Sequence, residues 1–293
     1  MPLLTIAIPT FDDYRGLSMT LQSLNMHHRG LGFDLLVFDN FNKCERSKKA
    51  AKNAKARLIS DDSIQGTCYS KSRCVQEALG KFVLVIDSHV MLDVGSIFKL
   101  LNYLESNTKS ARGNIYHGPL VSNAGEIYAT ELRPTWGSNA WGKWHNRITK
   151  DHPLPDQPFD IWGHGCGAFC VSKEAWPGYH PRCRGFGGEE GIIQEHYRAR
   201  GGKAICLPFL QWTHSFNDGA PVTHTVSVDD KFRNNMLGIT GLPNEEQLWA
   251  DCIGHFSQSL PMNKIVELCK VCLPGKYVID TKVALSLPTT VNA

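Results

Sequence analysis

Over roughly the first hundred residues, apolar runs of strand length alternate with segments whose apolar residues recur at helical spacing. Residues 3–9 (LLTIAIP) form a strand pattern, and Leu17, Leu21 and Leu24 mark a helix behind it. Residues 33–39 (FDLLVFD) are a second strand, the Lys- and Ala-rich residues 45–56 a second helix, and residues 57–59 a short third strand. Residues 69–78 are helical in pattern, and residues 82–86 (FVLVI) are the most apolar strand of the chain. Continuously apolar strands separated by helices are what a parallel sheet covered on both faces requires. The pattern predicts an α/β fold whose loops gather at the carboxyl edge of the sheet, where ligands bind in such folds.

From residue 111 to 160 the periodicity fades. Tyr116, Tyr128, Trp136, Trp141 and Trp144 stand among many Gly and Pro residues, which predicts an irregular, lid-like insertion. A Gly-rich strand over 163–171, a helix over 188–200 and a strand over 203–209 follow. Short helices are predicted over 228–237, 244–256 and 262–272, and a loose polar tail after Leu287.

Composition narrows the class. With 293 residues, 42% hydrophobic and 20% charged, the chain suits one large α/β domain or a domain with an appendage and excludes disorder, collagen and coiled coil. Its 31 basic and 28 acidic residues leave a net charge of +3, too little for an overall field that attracts nucleic acid. The 10 Cys follow no disulfide framework. No apolar run of signal-peptide or membrane-spanning length is present, so a cytoplasmic protein without membrane contact and with free thiols is expected.

Three stretches carry chemistry. Asp87-Ser88-His89 leaves the FVLVI strand with two metal-capable side chains at i and i+2, although an Asp after a strand is also a common turn cap. Gly185-Phe186-Gly187-Gly188-Glu189-Glu190-Gly191 precedes a helix. Its glycines let backbone approach a substrate and its carboxylates can take a proton, but acidic residues also suit a helix N-terminus on electrostatic grounds alone. His214 follows another strand and joins Asp87 and His89 as a third possible ligand. The pair Cys269 and Cys272 has no partner pair at zinc spacing and reads as helix core, as a pocket wall explains His164, Cys166 and Cys170. Trp136, Trp141 and Trp144 suit stacking on a sugar or packing of a loop equally.

Taken in order, IPT at the first strand end, Asp39 at the second, SKSR, DSH, GCGAFCVSKEAW, GFGGEEG and a late His resemble a nucleotide-sugar glycosyltransferase of the GT-A fold, over about residues 3–216. DSH in place of DxD is similar to the polypeptide N-acetylgalactosaminyltransferases, and residues 165–202 resemble the galactosyltransferase motif. The resemblance implies a mostly parallel central sheet flanked by helices, with residues 1–110 as the nucleotide-binding half and 111–227 as the acceptor-binding half of a catalytic domain. Residues 228–293 would be a small helical C-terminal extension. It implies that Pro9 and Thr10 line a uridine pocket, with Asp39 at the uracil or ribose. Lys71 and Arg73 would face the diphosphate, and Asp87 and Ser88 would lie beside the donor. Asp87, His89 and His214 would hold Mn²⁺ (or Mg²⁺), and Gly165 and Cys166 would lie against the sugar.

One departure bears on stereochemistry. Retaining polypeptide transferases carry Asn after GGE, whereas inverting galactosyltransferases carry a carboxylate, and this chain has Glu190. The expectation is an inverting UDP-sugar transferase for a hexose or N-acetylhexosamine, with Glu190 as base and Glu189 binding acceptor or donor sugar. The anchorless form resembles bacterial and phage transferases, whose acceptors include a glycan, a protein or a hydroxymethylated DNA base. A nucleotidyltransferase and a non-catalytic nucleotide-sugar binder are the alternatives on the same layout.

Overall fold

The structure is a computed structural model, and it describes residues 1–215 and 224–273. The first half follows the predicted alternation: β1 (Leu4–Thr10), α1 (Tyr14–His27), β2 (Asp34–Asp39), α2 (Glu45–Asn53), β3 (Arg57–Ser60), α3 (Thr67–Glu77) and β4 (Phe82–Ile86). Then come β5 (Val90–Leu92) and α4 (Ser96–Ser106), a single 3-10 turn, and the short strands β6 (Ile115–His117), β7 (Leu120–Val121) and β8 (Ile127–Ala129). β9 (Glu131–Gly137) and β10 (Ala140–His145) form a hairpin, followed by β11 (Phe159–Ile161), β12 (Ala168–Ser172), α5 (Glu190–Ala199), β13 (Ala204–Cys206) and β14 (Trp212–His214). Three helices close the described chain, α6 (Val228–Ile239), α7 (Glu245–Phe256) and α8 (Met262–Cys272).

The main sheet has eight strands in the order β11-β13-β6-β12-β4-β1-β2-β3. β1, β2, β3 and β4 run parallel, as do β6 and β13, while β12 is antiparallel to both neighbours. β1 and β4 are buried along their whole length because apolar side chains pack on both faces: Leu4, Ile6, Ile8, Leu84 and Ile86 with α1, and Ala7, Val83 and Val85 with α3. A second, four-stranded sheet in the order β5-β14-β7-β8 sits at the carboxyl edge. α6, α7 and α8 form their own core around Phe232, Trp249, Phe256 and Ile265, against which Trp136 and Trp141 also pack.

Three local expectations need correction. Residues 111–160 are irregular only in part: their aromatics belong to short strands and to the β9–β10 hairpin, whose Trp136 and Trp141 are cross-strand partners, while residues 146–158 carry no helix or strand. The helix α4 was not predicted, although Ile97, Leu100 and Leu104 fill its buried side. The Gly-rich strand begins at Ala168 rather than 163: ahead of it Gly163 makes only an isolated bridge to Leu132, and residues 164–167 are not in a strand. The tail after Leu287 lies outside the described residues.

Candidate active site

Asp87, Ser88 and His89 occupy the step between β4 and β5, where the chain passes from the main sheet to the small one. β14 runs antiparallel to β5 and sets His214 opposite Val90, and Ser215 N–H donates to the His89 carbonyl at 2.9 Å. This pairing, across 125 residues of sequence, places the two imidazoles edge to face, with Nε2 atoms 3.0 Å apart. His214 Nε2 is 4.0 Å from Asp87 Oδ2, and one ligand atom from each of Asp87, His89 and His214 lies within 4.8 Å of the others. One carboxylate and two imidazoles within this span fit a divalent cation that accepts mixed oxygen and nitrogen ligands.

Asp13, which the sequence reading did not single out, organises the cluster. Its Oδ1 accepts from Gly16 N–H and caps α1, while Oδ2 accepts from Ser88 Oγ at 2.7 Å and from His89 Nδ1 at 2.8 Å. With Nδ1 donating to Asp13, Nε2 is the ring nitrogen that faces His214. Burial opposes the charge on Asp13, but the bonds from His89 and Ser88 hold its carboxyl down at about 2. Burial likewise holds His214 down, at about 4, so that ring is neutral at pH 7.

Lys71 joins this cluster to the glycine-rich loop. The ammonium is buried and lies 3.6 Å from Asp87 Oδ1 and 3.4 Å from Glu189 Oε1. Burial works against its charge, and the carboxylates of Asp87 and Glu189 overcome it, raising its pKa above the usual lysine range. The other oxygen of buried Glu189 has no hydrogen-bond partner among the described residues. Glu190 opens α5, its Oε1 accepting from Cys166 N–H at 3.3 Å. Burial first, then the neighbouring Glu189, push its carboxyl up to about 7.

The loop that carries these two acids is bent through left-handed backbone at Gly185, Gly187 and Gly188, with φ of 68°, 90° and 86°, which side chains resist. Gly185 exchanges backbone bonds with Gln65 and Thr67 at the start of α3. On its other side the fully buried Asn234 of α6 accepts from Arg184 N–H and donates to the carbonyls of Arg184 and Gly187, at 3.1, 2.9 and 2.8 Å.

The expected nucleotide residues lie at neighbouring strand ends. Pro9 and Thr10 close β1 and Asp39 closes β2, Thr10 and Asp39 being register partners. Asp39 Oδ1 accepts from the N–H groups of Phe41 and Asn42, whereas buried Asp39 Oδ2 and Thr10 Oγ1 have no hydrogen-bond partner among the described residues. Phe11 packs edge-on against Phe41 and Phe186, and Phe186 stacks on His224 at 3.7 Å. Phe11 follows β1, Phe41 follows β2 and Phe186 lies in the glycine-rich loop before α5. Arg73 sits elsewhere, held by Asp61, Glu77 and Tyr69 and lying over the Phe38 ring. A side chain at Gly165 would come within 2.2 Å of Trp144, and Cys166 is fully buried, its pKa pushed upward by that burial. Cys269 and Cys272 lie in the helical core.

A largely parallel α/β sheet with carboxylate, imidazole and lysine side chains converging at its carboxyl edge has the architecture of GT-A-type sugar transferases. The chain belongs to glycosyl transferase family 2, whose model matches residues 5–169. No curated protein sequence matches it. Its fold is similar to that of GalNAc-T7 solved with UDP, GalNAc and Mn²⁺, with a TM-score of 0.67 at 16% identity over 93% of this chain and 54% of that one. It is also similar to S. aureus TarS 1-349 in complex with UDP-GlcNAc, with a TM-score of 0.57 at 10% identity over 92% of this chain and 81% of that one. The chain thus spans about half of the GalNAc-T7 structure. Among the described residues no helix is long and apolar enough to cross a membrane.

Proposed function

We propose that this chain is a divalent-cation-dependent transferase that moves a hexose or N-acetylhexosamine from UDP to an acceptor hydroxyl, with inversion at the anomeric carbon. The carrying observation is the double ion pair of Lys71 with Asp87 and Glu189, which ties a metal-capable cluster to the loop that presents Glu190. The unpartnered Thr10 Oγ1 and Asp39 Oδ2 support a nucleoside site at the ends of β1 and β2. Membership of glycosyl transferase family 2 and the UDP complexes of similar folds agree with it.

In this reading Asp87, His89 and His214 hold Mn²⁺ or Mg²⁺, which when bound neutralises the diphosphate as a Lewis acid. Lys71 places a fixed positive charge beside the departing phosphate oxygens. Glu190 takes the acceptor hydroxyl proton as the new bond to C1 forms and the C1–O bond to UDP breaks, its electron pair leaving with UDP. Glu189, anchored through one oxygen by Lys71, offers the other to a sugar hydroxyl. Gly165 and Cys166 form the wall next to Glu190 rather than supplying chemistry.

The deciding measurement is release of UDP from a panel of UDP-sugars, with and without Mn²⁺, and proton NMR of the product. Mn²⁺-dependent UDP release and a β-linked product from an α-linked donor are expected. An α-linked product removes inversion, and release of pyrophosphate from a sugar phosphate and UTP replaces the transferase with a nucleotidyltransferase.

A further inference from the structure

Positive charge is concentrated in one place. Residues 43–55 hold six of the 31 Lys and Arg residues and one of the 28 Asp and Glu residues, so acidic residues outnumber basic ones in the rest of the chain. The segment is α2 with its two flanks. Lys43, Arg46, Lys49, Lys52 and Lys55 are all exposed, and among the described residues none of these five has an ion pair; Lys48 pairs with Glu45. Arg46, Lys49 and Lys52 succeed one another at i, i+3 and form one stripe, in which like charges repel and cost helix stability. The opposite side, with Ser47 and Ala51, is buried against the body of the protein.

The stripe is continuous with the mouth of the candidate site. Lys43 lies 5.8 Å from the centre of the Phe41 ring, and Arg46 lies 5.2 Å from that of Tyr14, the residue after Asp13. Phe41 packs on Phe11 and Phe11 on Phe186, in the loop that leads to Glu189 and Glu190. A chain of touching rings therefore runs from Lys43 to Phe186, in the loop that leads to the proposed base.

We propose that α2 is the docking surface for a nucleic acid that carries the acceptor hydroxyl. A row of unpaired cations matches a backbone of regularly spaced phosphates, and each contact gains free energy by releasing condensed counterions, whatever the base sequence. A membrane surface fits less well. Helices that lie in the lipid interface insert an apolar face, and none of the exposed large apolar side chains belongs to residues 43–55. The acceptor role rests on the transferase function proposed above, whereas docking itself needs neither donor nor metal.

The test is fluorescence anisotropy of a short labelled DNA duplex with the full chain at several salt concentrations, without UDP-sugar. Binding at low salt is expected, with log affinity falling linearly in log salt at a slope of roughly −4 for five phosphate contacts. The Lys49→Glu/Lys52→Glu variant should bind at least about tenfold more weakly and flatten the slope by roughly 2. Lys99→Glu, on exposed α4, should leave both unchanged, and melting curves of all three proteins should coincide closely enough to show that they are folded. If the reversed protein is poorly folded, Lys49→Gln/Lys52→Gln should still lose affinity in the same direction. Absence of duplex binding at low salt, equal loss in Lys99→Glu, or binding to phosphatidylserine vesicles but not to duplex would overturn the proposal. Salt-dependent duplex binding by a protein that turns over no UDP-sugar upholds the surface and removes only the acceptor role.

Discussion

Glu190 and Asp13 bear opposite relations to their surroundings. Glu190, the proposed base, is pushed up to about 7 by burial and by Glu189. Turnover should therefore rise with pH through about 7 and fall as the carboxylate gains a proton below it. Glu190→Gln should remove this limb and lower kcat by about 10²- to 10⁴-fold while donor affinity, read by calorimetry, stays unchanged. Unaltered turnover in that variant excludes Glu190 as base. Asp13 is instead held ionised, and its bond to His89 Nδ1 fixes which ring nitrogen faces His214. Asp13→Asn should weaken Mn²⁺ binding by about 10- to 100-fold in calorimetry of the donor-free protein. The dipeptide Asp12-Asp13 before a helix is a readable N-cap signal, but nothing in its local sequence points to a histidine 76 residues away.

At the scale of elements, the candidate site is an agreement among four of them. α3 supplies Lys71, the β4–β5 step supplies Asp87 and His89, β14 supplies His214, and the junction of the glycine-rich loop with α5 supplies Glu189 and Glu190. α6 holds that loop through Asn234, whose removal would leave Arg184 N–H and two carbonyls without that partner. Asn234→Ala should cost about 1–3 kcal/mol in denaturant unfolding and lower kcat more than it changes metal affinity. If kcat holds while stability falls, the clasp is structural only. The alternation β1 to β4 was legible because β1 and β4 are continuously buried apolar runs, β2 has an apolar centre, and segments of helical pattern separate the strands. The β9–β10 hairpin was not, since Trp136 and Trp141 carry no period of two through a Gly-, Pro- and Ser-containing stretch, and their partners are distant, Phe256 of α7 for Trp136 and Glu195 of α5 for Trp141.

Across the whole molecule, stability should depend on acid in a defined window. His117 and His164 are fully buried and stacked between the sheet and α5, with His117 Nε2 against Gln194 Oε1 at 3.2 Å. Burial, the largest cause, lowers them to about 3 and about 4. The unfolded chain binds these protons first, so stability is complete above the ordinary histidine value of 6.5 and is lost as pH falls from there toward 4. Melting temperatures measured across that range should fall, and His117→Gln should flatten the decline. A flat profile in the native protein would show that both rings are charged in the fold.

Residue type and periodicity alone determined the α/β class, the strand ends where Thr10, Asp39 and Asp87 stand, the glycine loop before Glu189 and Glu190, and the family resemblance, because each depends on neighbours within a few residues. Only the tertiary structure decided that β14 pairs with β5 and so brings His214 to His89, that Lys71 faces Asp87 and Glu189 together, and that Arg73 turns to Asp61 instead. It also decided that the charges of α2 gather on one face at the edge of the candidate site. Those facts are distances between side chains far apart in sequence, and they are set by strand order and packing, which local patterns do not encode.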